Sequence, residues 1–537
     1  MIIYRDMKPD NVLIFSLAPD ALINAKIADY GISQFTTLFG LTAQEGTPAY
    51  RAPEVIRGET YSFQADIFSL GILMYMVLTG GIHPFDNLKW CNSETDKAFA
   101  ENLPIPPVTK KGCPPWPDYQ ELVTQCLNQV PDYRPKAIEV FNRLSSTELF
   151  SLREVLPVSV RTTVECMATQ LLDSKNIRLW VASGDNEYMQ LSWLNLLDYR
   201  DDSLRPDKMR RSVDNSGMGT MFRDGRVLCM LPVNKDHILL GTQAGKIWVF
   251  NAVTNELEHS SRQLQDSVLS LYLVQSRVDD PLVLAGLANG KIALYPISEI
   301  LQEPTMDPIE MKLGEGYEPV RCIMRSGPER RTIASCGTKV VVMDTRMGVA
   351  VENIFDTVEG SNSASAPITS MACGRHLFVA HRSSNILQAW DITRSRQKFC
   401  LNISDTFKLP KKDGRITSLV LHDQKTLWVG TGGGQIALID TNNLTPVIYT
   451  YRHTGSIRSL LSVKLKSTAR YGPASSTSVI LSGGLGFKSR SESDADRDNQ
   501  YGCIGVWDAD FPQTFKQFSD WSKKRKELSE TSRRPTV

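Results

Sequence analysis

The stretch Tyr4-Arg5-Asp6-Met7-Lys8-Pro9-Asp10-Asn11 decides the fold of the N-terminal part of the chain. Three further motifs follow it in order: Asp29-Tyr30-Gly31, then Gly46-Thr47-Pro48-Ala49-Tyr50-Arg51-Ala52-Pro53-Glu54, then Tyr133-Arg134-Pro135. Each motif alone is a weak signal, because Asp-x-Lys-x-x-Asn and Asp-Tyr-Gly both arise by chance. Their succession in this order within the first 135 residues makes chance negligible.

Taken together, the motifs resemble the C-terminal lobe of a protein kinase. The resemblance implies that Asp6 is the catalytic carboxylate, which orients the attacking hydroxyl and accepts its proton. Lys8 is placed to neutralise the transferring phosphoryl group. Asn11 and Asp29 are expected to hold Mg²⁺, which prefers oxygen ligands, and through it the phosphates of ATP.

The segment that begins at Asp29-Tyr30-Gly31 and ends before Pro53 corresponds to a kinase activation segment. Gly31 is expected to give its backbone the freedom to move. Phosphorylation of one hydroxyl in this segment could order it by pairing with Arg5. The alternative for each hydroxyl singly is an exposed loop residue without that role. The candidates are Ser33, Thr36, Thr37, Thr42 and Thr47.

Other residues are expected to hold the lobe together. Glu54 would form a buried ion pair with Arg134, and removing one partner of such a pair typically costs about 3–5 kcal/mol. The segment 4–11 resembles the catalytic loop of kinases and is called the catalytic loop below. Asp66 would accept hydrogen bonds from the backbone of this loop. Lys8 and Thr47 are typical of kinases that act on serine and threonine rather than on tyrosine.

The hydrophobic pattern of the first 150 residues predicts mainly helices. Residues 63–78 are apolar nearly all round, which indicates a buried central helix. Further helices are predicted at 119–128 and 136–144. Six prolines at positions 104 to 117 predict irregular backbone between the helices at 63–78 and 119–128.

From Thr163 onward, short β-branched runs alternate with turn residues at a period of roughly 40–50 residues, the period of propeller blades. Two segments end in Trp-Asp, at Trp390-Asp391 and Trp507-Asp508. A β-sandwich followed by a barrel is the alternative, since those folds also use short strands. Seven candidate units can be aligned, at 177–196, 238–251, 282–297, 332–345, 377–392, 427–440 and 479–510.

The predicted fold is therefore multidomain. It combines a protein kinase C-lobe at 1–150, an all-β seven-bladed WD-type propeller at 151–510 and a C-terminal helix at 511–537. The polar stretches 359–367 and 489–500 are expected to be exposed insertions. The basic face of the C-terminal helix is either a solvated surface or a binding patch. His376 and His381 are expected to be turn or core residues rather than ligands.

Charge, cysteine content and the length of apolar runs give no support to several classes of function. The net charge is +1, from 60 basic and 59 acidic residues, which gives no argument for nucleic acid or an anionic membrane. The 10 cysteines include no Cys-x-x-Cys pair, which favours reduced thiols in the cytoplasm. No apolar run reaches the about 18 residues of a transmembrane helix, and the N-terminus lacks the apolar core of a signal peptide.

Two departures from common kinase motifs point to a narrower family. Tyr4-Arg5-Asp6 stands where most kinases have His-Arg-Asp, and Asp29-Tyr30-Gly31 where most have Asp-Phe-Gly. With a WD-type propeller directly after the kinase part, the chain resembles the leucine-rich-repeat kinases of the Roco family. The resemblance implies phosphorylation of protein substrates on serine or threonine with ATP and Mg²⁺. It also implies GTPase coupling, homodimers, and peripheral association with membranes or microtubules.

The chain contains no Gly-rich phosphate loop, no strand lysine for the phosphates and no partner glutamate for that lysine. We therefore expect it to be a C-terminal fragment of an active enzyme. By itself it is expected not to bind ATP productively. The alternative is a non-catalytic scaffold, in which the propeller binds protein partners and the kinase part is a remnant. A generic kinase with an unrelated propeller is a third option.

Overall fold

The computed structural model describes residues 2–15, 25–35, 41–42, 44–79, 81–85, 92–106, 117–144, 152–159, 162–172, 176–184, 189–196, 210–214, 226–275, 280–302, 307–314, 318–326, 331–345, 348–358, 366–407, 409–451, 453–466, 476–486 and 502–509. It divides into two compact units, 1–154 with 510–537, and 155–509. The predicted C-terminal helix, the insertion at 489–500 and most of the insertion at 359–367 lie outside the described residues. Within the described part, no helix is long and apolar enough to cross a membrane.

The first unit is built mainly from helices. These are α1 (Pro53–Ile56), α2 (Gln64–Leu78), α3 (Asn92–Ala100), α4 (Pro117–Cys126) and α5 (Ala137–Leu144). Four short strands form two antiparallel pairs: β1 (Ile2–Ile3) with β4 (Gln34–Phe35), and β2 (Val12–Ile14) with β3 (Ala25–Ile27). The predicted helices start or stop one or two residues away from these bounds, and α3 has no counterpart in the sequence prediction.

Helix α2 is the centre of the first unit because its side chains are apolar on nearly every face. Phe68 and Ile72 are fully buried and share a core with Leu122 of α4. Gly71 permits the close approach of α4, since a Cβ atom at this position would lie 2.9 Å from the Cβ atom of Cys126. Val77, 71% exposed, is the exception near the end of the helix.

The second unit is a seven-bladed propeller, as the sequence predicts. Its blades, numbered 1 to 7 here, are four-stranded antiparallel sheets. Blade 1 contains β6 (Val164–Leu171), β7 (Ile177–Gly184), β8 (Met189–Leu196) and β9 (Arg210–Asp214). Blade 2 contains β10 (Val227–Pro232), β11 (His237–Thr242), β12 (Ile247–Asn251) and β13 (Glu256–Ser260). Blade 3 contains β14 (Val268–Val274), β15 (Leu282–Leu287), β16 (Lys291–Pro296) and β17 (Ile309–Lys312). A short helix α6 (Ile297–Leu301) follows β16.

Blades 4 to 6 have the same arrangement. Blade 4 contains β18 (Ile323–Arg325), β19 (Thr332–Cys336), β20 (Lys339–Asp344) and β21 (Ala350–Asp356). Blade 5 contains β22 (Ile368–Cys373), β23 (Leu377–His381), β24 (Ile386–Asp391) and β25 (Arg396–Asn402). Blade 6 contains β26 (Ile416–His422), β27 (Thr426–Thr431), β28 (Gln435–Asp440) and β29 (Thr445–Tyr451). A short helix α7 (Ile403–Phe407) follows β25.

Blade 7 closes the ring with a strand from the other end of the propeller sequence. Its first three strands are β30 (Ile457–Lys466), β31 (Ser476–Leu485) and β32 (Gly502–Asp508), and its outer strand is β5 (Leu152–Ser159). The first strand of blade 7 also contacts the first strand of blade 1. Pairing of β5 with β32 protects the edge that an open repeat would expose. The sequence pattern from Thr163 onward did not reveal this strand.

Every blade carries the same triplet at the start of its inner strand, which we call the inner triplet. Its first residue is a buried Val or Ile, its second varies and its third is Cys or Ser. The second residue is an extra residue in the strand, a β-bulge, in the six blades whose pairing is defined there. The triplets are Val164-Glu165-Cys166, Val227-Leu228-Cys229, Val268-Leu269-Ser270, Val320-Arg321-Cys322, Ile368-Thr369-Ser370, Ile416-Thr417-Ser418 and Ile457-Arg458-Ser459.

The third residue of the triplet connects neighbouring blades. Ser270 Oγ of blade 3 donates a hydrogen bond to the Val320 carbonyl of blade 4 at 2.9 Å, and Cys229 Sγ of blade 2 approaches the Val268 carbonyl of blade 3 at 3.6 Å. Only a small residue fits opposite, because a Cβ atom on Gly241 would lie 2.5 Å from Cys229 Sγ. Burial raises the pKa of Cys229 to about 12, so this cysteine is a neutral thiol that packs and donates.

Candidate active site

The catalytic loop joins β1 to β2 and ends in a 3₁₀ turn at Pro9–Asn11. Asp6 lies at its centre with both carboxylate oxygens engaged. Oδ1 accepts the Thr47 hydroxyl at 2.5 Å and the Thr47 N–H at 3.1 Å, and Oδ2 accepts Asn11 Nδ2 at 2.8 Å. Lys8 Nζ lies 3.1 Å from Oδ2 and 2.7 Å from the Thr47 hydroxyl oxygen. The structure thus brings four predicted site residues into one cluster.

These contacts favour the ionised form of Asp6. Its partial burial would raise the carboxyl pKa, but hydrogen bonds from Thr47, Lys8 and Asn11, together with the charge of Lys8, lower the pKa below its usual value. Asp6 therefore remains an ionised hydrogen-bond acceptor at neutral pH. A carboxylate of this kind can orient a hydroxyl group and receive its proton as the oxygen becomes bonded elsewhere.

Asp66 of α2 anchors the start of the catalytic loop. Its two carboxylate oxygens accept the backbone N–H groups of Tyr4 and Arg5, each at 2.7 Å. Burial raises the pKa of Asp66, and these two N–H groups act in the opposite direction. Arg5 adopts a left-handed backbone conformation with φ of 72°, which is unfavourable for a residue with a side chain. The two bonds to Asp66 hold the loop in this geometry.

The Asp29-Tyr30-Gly31 segment lies beside the catalytic loop. The Ala28 N–H donates to the Asn11 carbonyl at 2.8 Å, which places Asp29 next to the turn that carries Asn11. Asp29 has φ of 57°, so the left-handed residue of this motif is the aspartate and not the glycine. Asp29 Oδ1 accepts the Gly31 N–H at 3.2 Å.

Tyr4 and Tyr30, the two unusual residues of these motifs, contact each other. Their rings meet edge to face with centroids 5.4 Å apart. The Tyr4 hydroxyl donates to the Ala28 carbonyl, one residue before Asp29. Burial raises the pKa of Tyr4, which keeps this hydroxyl protonated as a donor. The two tyrosines therefore form a direct link between the catalytic loop and the Asp29 segment.

The available oxygens fit a magnesium ion that is shared with a nucleotide. Because Asn11 Nδ2 donates to Asp6, the Asn11 side-chain oxygen is left for another partner. Asp29 is exposed. The described residues contain no group of three or more His, Cys, Asp or Glu side chains that could enclose a metal. One carboxylate and one amide oxygen suit Mg²⁺, which usually takes its remaining ligands from water and substrate phosphates.

The segment 46–54 resembles the peptide-positioning loop of kinases, and we use that name for it; it packs against the catalytic loop through Gly46. This glycine has φ of 103°, and a Cβ atom on it would lie 2.6 Å from the Arg5 carbonyl oxygen. Ala49 is also left-handed, with φ of 72°. Its N–H donates to Asp96 Oδ1 at 2.8 Å, and its carbonyl accepts His83 Nε2 at 3.0 Å. Both partners are buried, so the Ala49 backbone is held from two sides.

Sequence reasoning missed Asp96 and His83. Asp96 also pairs with Arg51, so it fixes two points of the loop. Neither residue has a spacing relation to the loop it holds, because α3 and the segment around His83 reach it only through the tertiary fold. The signal that was available is burial of a polar residue among apolar neighbours, as in Ile82-His83-Pro84-Phe85.

Glu54 and Arg134 form the base of the loop. The pair is bidentate, with N···O distances of 2.6 and 2.8 Å, and the side chains are 1% and 0% exposed. Arg134 also donates to the carbonyls of Asn128 at 2.7 Å and Gln64 at 3.0 Å. These bonds satisfy a guanidinium that would otherwise be costly to bury.

The activation-segment hydroxyls have different surroundings. Ser33 Oγ donates to the Tyr4 carbonyl at 3.2 Å, and Thr47 is engaged by Asp6 and Lys8. Thr42 is exposed. Thr36 and Thr37 lie outside the described residues.

Comparisons with known proteins agree with this division of the chain. Residues 151–507 match the family described as LRRK2 beta propeller, and residues 1–144 match the protein kinase domain. A mouse relative, leucine-rich repeat serine/threonine-protein kinase 1, is 26% identical over 307 residues, 55% of this chain and 14% of that protein.

Two further relatives match the kinase part. The putative serine/threonine-protein kinase/receptor R818 of Acanthamoeba polyphaga mimivirus is 36% identical over 27% of this chain and 8% of its own length. The serine/threonine-protein kinase VIK of Arabidopsis thaliana is 31% identical over 29% of this chain and 34% of its own length. The chain thus spans about a third or less of these three relatives.

Proposed function

The chain belongs to the LRRK2 β-propeller family and also matches the protein kinase domain. We propose that it forms part of a serine/threonine protein kinase of the Roco type. The reaction transfers the γ-phosphate of ATP to a serine or threonine hydroxyl of a protein substrate. The propeller is assigned to protein partners, and the protein to the cytoplasm. The observation that carries the proposal is the convergence of Thr47, Lys8 and Asn11 on the carboxylate of Asp6.

In this mechanism Asp6 orients the attacking hydroxyl. Asp6 is an ionised acceptor, a form that its lowered pKa favours further, so it takes up the proton only as the hydroxyl oxygen bonds to phosphorus. Lys8 keeps a positive charge 3.1 Å from the same carboxylate, where negative charge on the transferring group would be stabilised. Thr47 belongs to the peptide-positioning loop, and its hydroxyl connects that loop to Asp6 and Lys8.

The nucleotide and metal would be held by two residues. Asn11 and Asp29 are the candidates for magnesium, the first through its amide oxygen and the second through its carboxylate. When bound, magnesium and ATP supply the phosphoryl group and neutralise its charge. The Tyr4 hydroxyl and ring hold the backbone just before Asp29, so Tyr4 is assigned the role of orienting that carboxylate.

The test is the identity of the hydroxyl that receives phosphate. The protein would be purified from its own source with an antibody against residues 151–507 and incubated with magnesium, ATP and peptides that carry serine, threonine or tyrosine. We expect phosphate on the serine and threonine peptides. Preferential transfer to tyrosine would contradict the assignment. The absence of any transfer would favour the alternative, a propeller scaffold whose kinase part does not catalyse.

A further inference from the structure

Blades 4 and 5 of the propeller hold buried polar groups without a partner in the described part of the chain. Arg321 and Thr369 are the second residues of the inner triplets of these two blades. Arg321 Nε and Thr369 Oγ1 are both buried, and neither has a hydrogen-bond partner there. Buried polar groups are normally satisfied by protein, water or a ligand.

The two positions are adjacent, and a second arginine lies beside them. Cys322 Sγ approaches the Thr369 carbonyl at 3.7 Å, which sets the two inner strands side by side. The Arg382 N–H donates to the Pro367 carbonyl at 2.8 Å, so the turn after β23 lies at the start of β22. Burial lowers the pKa of Arg321, and the like charge of Arg382 lowers it further. The Arg382 backbone thus lies at the same end of blade 5 as Thr369, and the Arg382 charge acts on Arg321.

At the junction of blades 7 and 1, the charges at and beside the same triplet position are neutralised. Glu165 is the second triplet residue of blade 1, and its side chain is 8% exposed. Its carboxylate forms ion pairs with Arg458 of blade 7 and with Arg226, which precedes the triplet of blade 2. The N···O distance is 2.5 Å in both pairs. In blades 4 and 5 no carboxylate takes this role among the described residues. The nearby Glu318 is engaged by Lys339 at 3.2 Å.

We propose that Arg321, Arg382 and Thr369 form a binding site for the phosphate group of a phosphorylated peptide segment. Two guanidinium groups and a hydroxyl supply several hydrogen-bond donors, and the planar fork of a guanidinium group matches a phosphate oxyanion. A peptide is favoured because the site lies at the inner ends of the blades, with Arg321 only partly exposed and Thr369 Oγ1 buried. A phosphorylated side chain on a slender segment can approach a partly buried arginine, whereas the headgroups of a flat bilayer are held in one plane.

This site is independent of catalysis by Asp6, and its test uses binding by the full chain. The probe is the blocked tripeptide acetyl-Gly-phosphoserine-Gly-amide, measured by calorimetry against its unphosphorylated form, inorganic phosphate and vesicles of phosphatidylcholine with phosphatidylserine. We expect binding of the phosphopeptide, no binding of the unphosphorylated peptide, weaker binding of inorganic phosphate, and none to the vesicles. Binding should weaken as salt is added.

The exposed Arg382 gives the cleanest variant, because Arg382→Gln removes a charge without emptying a buried site. We expect it to weaken phosphopeptide binding by about tenfold or more, the worth of a charged hydrogen bond. Arg321→Gln should act in the same direction, with thermal unfolding used to verify that the propeller remains folded. Arg375→Gln is the matched control, since Arg375 is an exposed arginine of blade 5 in the turn at the other end of β22 and β23.

Three results would overturn the proposal. One is equal binding of the phosphorylated and unphosphorylated peptides. Another is unchanged binding by the folded Arg382→Gln variant, or an equal loss in Arg375→Gln. The third is binding of inorganic phosphate or of anionic vesicles as tight as that of the phosphopeptide, which would assign the site to free phosphate or to a lipid surface.

Discussion

Glu45 Oε2 lies 2.8 Å from Arg5 Nη1, and the Arg5 side chain is only 7% exposed. Arg5 belongs to the catalytic loop, and Glu45 belongs to the activation segment directly before Gly46. The sequence raises the pairing of the Arg5 guanidinium with a phosphorylated residue of that segment as one alternative. In this structure a carboxylate of the segment lies beside that guanidinium, and the pairing with a phosphorylated residue stays a prediction.

The first prediction concerns this pair. Glu45→Ala should loosen the activation segment, because Arg5 then loses the carboxylate that ties the segment to the catalytic loop. The gain in stability from a half-exposed pair is about 1 kcal/mol or less, so the measurable effect is local. Hydrogen exchange of the amides at 44–47 should become faster in the full chain. Glu59→Ala, which removes an exposed pair with Arg57, is the control. Unchanged exchange near Gly46 would refute the coupling.

The second prediction concerns the buried pair at the base of the loop. Glu54→Gln should lower the free energy of unfolding of the first unit by about 3–5 kcal/mol, because Arg134 would keep its charge without a carboxylate. Chemical denaturation followed by hydrogen exchange in α2 measures this loss. Glu59→Gln should have no measurable effect, since Glu59 is a surface residue. Equal effects of the two substitutions would show that the buried pair is not important for stability.

The third prediction concerns backbone strain at Ala49. Its φ of 72° is unfavourable for a residue with a Cβ atom by about 1–2 kcal/mol. Ala49→Gly should therefore stabilise the first unit by roughly 1 kcal/mol, after the greater flexibility of glycine in the unfolded chain is allowed for. Ala52→Gly is the matched control and should destabilise, because Ala52 has φ of −69°. Destabilisation by Ala49→Gly would mean that the Ala49 methyl group contributes more than its backbone geometry costs.

The fourth prediction is a pH dependence in the propeller. Burial lowers the pKa of His453 from 6.5 to about 4. The neutral ring is held by the Gly486 carbonyl at 3.1 Å and Ser482 Oγ at 2.8 Å, and Trp507 Nε1 donates to the same oxygen at 2.8 Å. As pH falls from 6.5 towards 4, the unfolded chain binds the proton first, so stability is lost in this window.

The size of this loss follows from the shift, at about 1.4 kcal/mol for each pKa unit, which gives roughly 3 kcal/mol at the lower end. Denaturation of the full chain at several pH values, with exchange read in β31, measures it. His453→Asn should remove most of the slope, and His237→Asn, at a residue that lies near the surface of blade 2, should preserve it. A slope that is unchanged in His453→Asn would contradict this origin.

The sequence predicted those parts of the fold and site that are local or repeated. Asp6, Lys8 and Asn11 lie within one loop, so their spacing alone indicates that they can share a site, and the repeat period indicates seven blades. Their catalytic roles remain predictions. Aligning the inner strands would also have revealed the Cys or Ser at the third triplet position.

The remaining features depend on contacts between distant parts of the chain. Asp96 and His83 reach Ala49 only because α3 packs beside the loop, and β5 joins blade 7 from the other end of the propeller sequence. The Glu45–Arg5 pair depends on the path of the activation segment, which no spacing rule fixes. In each case the partner is chosen by tertiary packing, and a pattern read along the chain cannot identify it.

The catalytic role of Asp6 is tested most directly by comparing phosphate transfer by the source-purified protein carrying Asp6→Asn with transfer by the same protein carrying Asp10→Asn. Both substitutions remove one carboxylate of the same loop. Asp6 accepts hydrogen bonds from Thr47 and Asn11, whereas Asp10 is exposed. We expect Asp6→Asn to lower the turnover number by about 10²–10⁴-fold and Asp10→Asn to leave it close to that of the unaltered protein. Equal activities of the two variants would contradict the assignment of Asp6 as the catalytic carboxylate.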